Sequence, residues 1–299
     1  MRRQIKPHLA VLSANILFGL NYSAVQHITP KFIHPFGLNL IRVAVSTLLF
    51  WVMAFVYRSA LGFRREHLGR FLLCALTGVV INQLLFIRGL SMTFVIHAVL
   101  LSLVTPIFIT FIAAYLLKER FSVLKITGLI FGITGAAMLV IRREGSGKGD
   151  AVLMGDLFVL LNAISYSFYF VLVKPLMKEY RPMHVLRWVF TLGLPVMVAF
   201  GWSEFRAIQW ETFSGTEYLT LALIVIGATF LAYTLNLYSI GQLGASVTGA
   251  YIYTQPVFAT AVAMILLGET LTLYKITAAI LIIAGVFLTG RNNGTNGKM

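Results

Sequence analysis

The sequence has few charged residues. Only 11% of its 299 residues are Asp, Glu, Lys or Arg, while 59% are hydrophobic; soluble domains carry about 25% charged residues. A soluble protein of this length could not bury so much apolar surface, so we expect lipid to be its solvent. The composition therefore argues against a soluble enzyme or binding protein and favours an integral membrane protein.

Acidic residues are scarcer than basic ones, which gives a formal net charge of +14. Binding of nucleic acid would require these positive charges to form a patch on one soluble face. Here they lie in short runs between apolar segments, as in cytoplasmic loops that face anionic lipid. We therefore expect the lipid bilayer as a partner, and no nucleic acid.

Cysteine and catalytic motifs are also scarce. The one cysteine, Cys74, lies inside an apolar segment, which excludes a disulfide framework and a thiol metal site. There is no HExxH, GxSxG or GxxxxGK[ST] motif, so the sequence lacks the usual signatures of membrane hydrolases and ATP-driven pumps. We expect no enzymatic activity, no metal and no cofactor.

What the sequence does contain is a series of long apolar segments. A helix needs about 20 apolar residues to cross a bilayer, and ten segments qualify. Their approximate bounds are 8–27, 35–57, 68–88, 93–117, 123–141, 152–174, 184–202, 217–238, 244–267 and 273–290. The connections are too short for a soluble domain. The most flexible one, 142–151, divides the chain into two parts, 1–146 and 147–299.

These two parts repeat one another. Thr105–Gly128 and Gln255–Ala278 agree without a gap at ten of 24 positions, whereas chance in so apolar a composition would give roughly two to four matches. The offset between the two stretches is half the chain length. The sequence therefore predicts two copies of one five-helix unit.

The lysines and arginines indicate the orientation. With the N-terminus in the cytoplasm, 16 of them lie on the cytoplasmic side and eight on the outer side, which favours cytoplasmic N and C termini. Because five helices per copy is an odd number, the second copy must enter the membrane from the opposite side. The predicted fold is an all-α integral membrane protein, with ten transmembrane helices in two inverted five-helix repeats. That architecture is typical of secondary transporters.

Several features are shared with a known family. Two Leu-Leu-x-Glu elements end at Glu119 and Glu269, the fifth and tenth segments are rich in small residues, and Arg42 follows Pro35 in the second segment. In these features and in its layout the sequence resembles the EamA-type permeases of the drug/metabolite transporter superfamily, although its first segment has Phe-Gly where the family usually has Trp-Gly. The resemblance implies a carrier of small organic solutes, often an exporter of amino acids. It also implies a central cavity lined mainly by the first, third, fourth, sixth, eighth and ninth helices.

Polar and aromatic residues recur on those six helices. On the first, sixth, eighth and ninth they follow helical spacing and share a face. The candidates for a substrate cavity are Asn15, Gly19, Tyr22, Gln83, His97, Thr105, Asn162, Tyr166, Tyr169, Tyr233, Asn236, Tyr251 and Gln255. Amide and aromatic groups together suit a zwitterionic or ring-bearing solute. The alternative is that these stripes only hydrogen-bond one helix to another.

Pro106 and Pro256 occupy matching positions in the fourth and ninth segments. A proline lacks the backbone N–H and so leaves a carbonyl one turn upstream without its helical partner. In lipid that carbonyl must find another donor or line a wet cavity. We expect a helix kink at both prolines, which either borders the binding site or serves packing alone.

The acidic residues are predicted to lie at helix ends or in loops, which leaves no carboxylate relay across the membrane. This favours facilitated diffusion or solute exchange over proton antiport. If coupling exists, His97 or Asp156 would have to carry the proton; His97 is a candidate because imidazole titrates near neutral pH. The alternative for His97 is a structural hydrogen bond.

Glu119 and Glu269 each precede a residue suited to cap a helix, Ser122 and Thr272. A carboxylate is favourable near the positive end of a helix. We therefore expect these glutamates to support the starts of the fifth and tenth helices rather than to select the substrate.

The fifth segment carries a small-xxx-small face formed by Gly128 and Gly132. Such a face lets another helix approach closely. It packs either within the chain or against a second copy, so a homodimer is one possible assembly.

The sequence as a whole predicts a secondary transporter of small organic metabolites, located as a multi-pass protein in the plasma (inner) membrane. Its expected activity is export of amino acids or related solutes by alternating access, with the cavity between the two repeats. The alternative is a proton-coupled drug/metabolite antiporter. A channel or a membrane enzyme fits less well, because no ring of charge, filter sequence or catalytic motif is visible.

Overall fold

The computed structural model describes residues 2–58, 62–116, 123–141, 149–243, 248 and 251–290. Over these ranges the chain is almost entirely helical and contains no strand. The helices are α1 (Arg2–Ile28), α2 (Pro35–Val56), α3 (Arg65–Leu90), α4 in two pieces (Val95–Ser102 and Thr105–Leu116), α5 (Val123–Ile141), α6 (Gly149–Glu179), α7 (Pro182–Arg206), α8 (Gly215–Leu243), α9 (Gln255–Leu267) and α10 (Leu273–Gly290). Within the described residues, seven helices are long and apolar enough to cross a bilayer, and α5, α9 and α10 contribute shorter apolar helices.

Local sequence signals set several helix ends. Pro35 and Pro182 occupy the first position of α2 and α7, where a missing N–H costs nothing. Ser214 and Glu217 form a capping box at the start of α8, which satisfies two backbone donors reciprocally. Gly268, with a φ of 68°, ends α9 in the left-handed conformation that glycine adopts most readily.

The contacts between the first five helices and the last five are symmetric. Helix α2 lies against α7, and α5 lies against α10. Helix α1 contacts α8 and α9, just as α6 contacts α3 and α4. Exchanging each helix for the one five places further along maps these contacts onto themselves, as a twofold relation between two halves requires.

Polar and apolar side chains are distributed for a lipid solvent. Ile265 and Leu273 on the outside are 80% and 79% exposed, whereas Asn39, Gln83 and Asp156 are buried inside the bundle. Hydrocarbon does not penalise exposed aliphatic groups, but it offers no hydrogen bonds, so polar groups gather where protein can satisfy them.

Helices α5 and α10 approach each other through glycine. A Cβ on Gly285 would lie 2.5 Å from the carbonyl oxygen of Gly128 and 2.7 Å from the backbone nitrogen of Gly132. The small-residue face of α5 is therefore used for packing against α10 of the same chain.

Two carboxylates from the second half of the chain cap helices of the first half. The Glu269 carboxylate accepts hydrogen bonds from the N–H groups of Val95 and Ile96, at 2.7 and 2.9 Å, at the start of α4. In the same way Glu204, near the end of α7, accepts from Phe36 N and from the neighbouring glycine N–H at the start of α2, at 2.7 and 2.9 Å. Both caps lie at the end of the bundle where α1 ends, and they join the two halves there.

This position of Glu269 differs from the sequence-based expectation, which assigned its carboxylate to the start of the tenth helix. At that start the Thr272 hydroxyl oxygen lies 3.4 Å from the Lys275 backbone nitrogen. The carboxylate turns to α4 because two unpaired N–H groups are available there. Glu119 and Ser122 lie outside the described residues.

Candidate substrate cavity

A cavity of about 110 Å³ lies between the two halves of the bundle. Helices α1, α2, α3, α4, α6 and α8, the turn before α9 and the first residue of α9 line it. The lining residues are Asn15, Phe18, Asn21, Tyr22, Arg42, Asn82, Gln83, Phe86, Ser102, Thr105, Asn162, Tyr166, Tyr233, Asn236, Ile252 and Gln255. The wall thus combines amides, aromatic rings, two hydroxyl-bearing aliphatic side chains and one guanidinium, and it includes no carboxylate.

Nine of the thirteen residues singled out in the sequence meet in this cavity. They are Asn15, Tyr22, Gln83, Thr105, Asn162, Tyr166, Tyr233, Asn236 and Gln255. The helical spacing that grouped them on single faces thus also brings the faces of several helices together.

The other four lie elsewhere. Gly19 packs against α9, where a Cβ would lie 3.0 Å from the Phe258 Cβ. The Tyr251 hydroxyl lies 2.8 Å from His8 Nδ1 at the opposite end of the bundle from the glutamate caps. Tyr169 lines a second cavity, and His97 belongs to a separate buried cluster; both are described below.

Helices α3 and α8 widen into π-helical turns just before they reach the cavity. The π-helical segments are Leu76–Val80 and Leu223–Leu231, and Gln83 and Tyr233 follow them closely. Such turns occur frequently at functional sites because they release backbone groups from the regular ladder. In α8 the hydroxyl of Thr229 donates to a carbonyl five residues upstream, at 2.8 Å.

Helices α4 and α9 are interrupted at matching positions. Helix α4 breaks between Ser102 and Thr105, and a 3₁₀ turn over Tyr251–Thr254 precedes α9. Pro106 and Pro256 follow directly. The hydroxyl of Thr105 donates to the Ser102 carbonyl at 2.7 Å, which replaces the donor that Pro106 cannot supply.

Some of the cavity amides also hold helices together. The Gln255 side chain donates to Asn15 Oδ1 at 2.6 Å, and Asn15 itself donates to the Val11 carbonyl at 2.7 Å. Asn162 donates to the Asn82 carbonyl at 2.8 Å. The two alternatives for these stripes, cavity lining and interhelical bonding, therefore both apply to Asn15, Asn162 and Gln255.

Arg42 is the most consequential lining residue that the site prediction missed. Its side chain is buried, and its Nε donates to Thr229 Oγ1 at 2.9 Å. A basic residue near the start of an apolar segment was counted among the charges of the outer side. The sequence signal for its burial was its position seven residues after Pro35, inside the apolar segment.

The remaining missed residues are mostly apolar or lie off the chosen stripes. They are Phe18, Asn21, Asn82, Phe86, Ser102 and Ile252. Periodicity identifies a polar face readily, but it does not indicate which apolar residues border that face.

The cavity is closed toward the end where α1 ends. The Tyr22 hydroxyl donates to Ser102 Oγ at 3.0 Å, and the Tyr22 ring packs edge-on against Phe86. Further along, Gln26 donates to the Thr93 carbonyl at 2.6 Å. These contacts join α1 to α3 and α4 between the cavity and the glutamate caps.

Toward the opposite end the space continues. A second cavity of about 290 Å³ lies between α6, α7 and α8 and shares Tyr166, Tyr233 and Asn236 with the first. It is lined at its far side by Lys174 and Lys178, which are exposed. The two adjoining cavities, together called the chamber, extend from the middle of the bundle to the exposed lysines at the end where α1 begins.

A buried ionisable cluster lies beside the chamber. His97 Nδ1 is 3.1 Å from Asp156 Oδ2, and Thr93 donates to the other carboxylate oxygen. His97 and Asp156 are each 1% exposed or less. Asp156 therefore corrects the expectation that every acid lies at a helix end or in a loop. It is accommodated inside α6 because its two oxygens have partners from the α3–α4 region.

Comparison with known proteins connects this arrangement to transport. The model of the EamA-like transporter family matches the chain twice, over residues 5–141 and 153–291. The uncharacterized transporter YoaV of Bacillus subtilis (strain 168) is 24% identical over 293 residues, which cover 95% of this chain and 96% of YoaV. A second relative, from Streptantibioticus cattleyicolor, is named a probable terminal-alkyne amino-acid exporter. It is 28% identical over 265 residues, which cover 85% of this chain and 84% of that protein.

A solved crystal structure superposes with a TM-score of 0.62 at 17% identity, covering 94% of this chain and 95% of that one. This likeness shows that the fold is one already observed. With both halves matched by the family model, the chain belongs to the EamA-like transporter family of multi-pass membrane proteins.

Proposed function

We propose that the protein is a secondary transporter that exports amino acids or related small organic metabolites by alternating access. The observation that carries this proposal is the chamber formed by the two adjoining cavities, the first of which lies between the halves. It is closed at one end by contacts of α1 with α3 and α4, and it extends to the surface at the other. A carrier caught in one of its two states would have this form.

The topology that goes with this function is ten membrane crossings in two inverted repeats, 1–146 and 147–299, in the plasma membrane. The exchange of contacts between helices five places apart supports the repeats. The charge bias supports cytoplasmic termini and increases when the structure is considered. Arg42, Arg187 and Lys275 are buried, and leaving them out gives 15 basic residues on the cytoplasmic side and six outside. The chamber then extends to the cytoplasm, from which an exporter loads its substrate.

Amino acids are the proposed cargo for two reasons. One relative is named a probable terminal-alkyne amino-acid exporter, and the cavity wall contains amides and a guanidinium for polar groups beside rings for an apolar side chain. Small-molecule sites are typically built this way, from apolar walls with a few placed polar groups.

Counterflow in proteoliposomes tests the transport function. Vesicles loaded with one amino acid should accumulate the same labelled amino acid faster than empty vesicles, because a carrier returns more quickly when loaded; a channel would not show this stimulation. Ser102→Trp, which fills the cavity, should abolish counterflow. Leu219→Trp, an equally bulky change at a position that is 73% exposed, should leave it unchanged.

The physiological cargo can be identified by a resistance screen. Cells that overexpress the protein should tolerate an excess of the exported amino acids and no excess of other metabolites. Resistance confined to compounds other than amino acids, with counterflow of those compounds, would contradict the proposed cargo while leaving the transport mechanism intact.

A proton-coupled antiporter is the second candidate, because a buried pair of titratable groups, His97 and Asp156, lies next to the helices that line the chamber. A carboxylate and an imidazole inside a membrane protein are functional candidates by default. Both partners are already hydrogen-bonded within the protein, which favours the facilitative mechanism.

A further inference from the structure

Arg42 lines the cavity, and part of its guanidinium has no hydrogen-bond partner among the described residues. Its Nε is bonded to Thr229 Oγ1, but Nη1 is buried and has no hydrogen-bond partner among the described residues. A buried donor without a partner costs free energy, and a buried charge costs more. Such a group is stable in a cavity where water or a bound anion completes its bonding.

No acidic side chain of the described residues neutralises this charge within the cavity. Asp156 is bonded to His97 and Thr93, while Glu204 and Glu269 cap helices at one end of the bundle. Among the described residues, the cavity wall contains no carboxylate. The electrostatic environment around Arg42 therefore favours a ligand that carries negative charge, and guanidinium matches the geometry of a carboxylate in particular.

The same wall contains buried acceptors that lack donors. The side-chain oxygens Asn21 Oδ1 and Gln83 Oε1 have no hydrogen-bond partner within the described part of the chain. Both residues line the cavity with Arg42. An ammonium group has three donors and no acceptor, so amide oxygens without partners are the complement that it requires.

Three buried atoms of lining residues thus lack hydrogen-bond partners among the described residues: Nη1 of Arg42, a cationic donor, and the side-chain oxygens of Asn21 and Gln83, two neutral acceptors. The rings of Phe18 and Phe86 line the same cavity. An α-amino acid presents a carboxylate, an ammonium group and a side chain together. We propose that Arg42 binds the carboxylate of the transported solute and that Asn21 and Gln83 receive its ammonium group, so that the cavity selects zwitterionic amino acids over solutes that lack either charge. This inference rests on the proposed function and assigns the residues that determine its specificity.

The first test changes the ligand and leaves the protein intact. A panel of the twenty common amino acids identifies, by the rise in unfolding midpoint of the purified wild-type protein, those that bind. Each binder is then compared with its amine, which lacks the carboxylate, and with its deaminated acid, for example phenylalanine with phenethylamine and 3-phenylpropionate. We expect the amino acid to bind at least about 30-fold more tightly than either analogue, because each analogue leaves a charge-assisted hydrogen bond unmade.

The second test changes Arg42. Arg42→Gln should weaken amino-acid binding about 30-fold and bring its affinity to that of the amine, while binding of the amine itself is retained. Arg42→Lys keeps the charge but loses the planar fork and should lie between the two. Arg88→Gln, which removes an exposed arginine at the end of α3, is the matched control and should bind as the wild type does.

The outcomes separate the two proposals. Equal binding of amine and amino acid by the wild-type protein would overturn the role of Arg42, as would unchanged discrimination in Arg42→Gln. Either result leaves transport intact if counterflow persists. Discrimination that depends on Arg42, without any counterflow, would support the site assignment and remove the transport function. If Arg42→Gln does not fold, the ligand series on the wild-type protein decides alone.

Discussion

The glutamate cap on α4 makes a quantitative prediction about how the closed end opens. Glu269 comes from the second half of the chain and binds two N–H groups of the first half, at 2.7 and 2.9 Å. The proposed alternating access requires the halves to separate at this end, so the cap would be broken in the open state. Hydrogen bonds to a charged group contribute about 1.5–3 kcal/mol each. Glu269→Gln keeps one oxygen but loses the charge and the second bond, which should destabilise the closed state by about 2 kcal/mol.

A shift of about 2 kcal/mol changes a two-state population by roughly 30-fold. The shift can be measured by thiol labelling, because Cys74 is the single cysteine of the sequence and is buried. In a Cys74→Ala background, a cysteine at Ile252 places one thiol in the cavity wall. With the proposed orientation, a membrane-impermeant reagent added to intact cells should label this thiol about 30-fold faster in Glu269→Gln.

Glu211→Gln is the control, since it removes an exposed carboxylate at the same end of the bundle. It should leave the labelling rate unchanged. The reasoning would be refuted if Glu269→Gln labelled at the parental rate, or if the control accelerated labelling equally. Faster labelling from both sides of the membrane would indicate loosened packing instead of a shifted equilibrium.

Two further predictions concern the packing of α5 against α10 and the buried pair of His97 and Asp156. Gly285→Leu should lower the stability in detergent by about 3 kcal/mol, because any Cβ collides with backbone atoms of α5. Gly62→Ala is the control, because there is open space around Gly62. Equal unfolding midpoints for the two variants would contradict the contact between α5 and α10. His97→Ala should destabilise the protein by about 3 kcal/mol by removing a partner of buried Asp156, yet leave transport indifferent to an imposed pH gradient. Acceleration by the gradient in the wild type that disappears in His97→Ala would establish proton coupling through this pair.

The sequence predicted the helical character of the chain and most of the cavity because both depend on local patterns. Apolar length identifies a potential membrane helix without any knowledge of its neighbours. Stripes such as Tyr166 with Asn162 could be assigned to one helix face from spacing alone.

Contacts between distant elements could not be predicted in this way. Arg42 was counted as a surface charge because spacing does not reveal that Thr229, from a π-helical turn 187 positions later, meets its Nε. Asp156 was placed at a helix end for the same reason. Its partners come from the α3–α4 region, and only the assembled bundle brings them to it. A charged residue in an apolar chain is therefore ambiguous until its partner is known.

The cap formed by Glu269 leads to a specific prediction for Glu119, the glutamate of the first Leu-Leu-x-Glu element. In the second copy its glutamate, Glu269, caps α4. The offset of 150 residues between the repeats predicts an equivalent contact between Glu119 and the backbone at positions 245 and 246, all of which lie outside the described residues. If each copy closes one end, Glu119→Gln should weaken the other closure and favour the state in which the α4 end is shut. Labelling of the Ile252 cysteine from outside should then become slower, the reverse of the effect of Glu269→Gln. Acceleration in both variants would mean that the two glutamates only stabilise the fold.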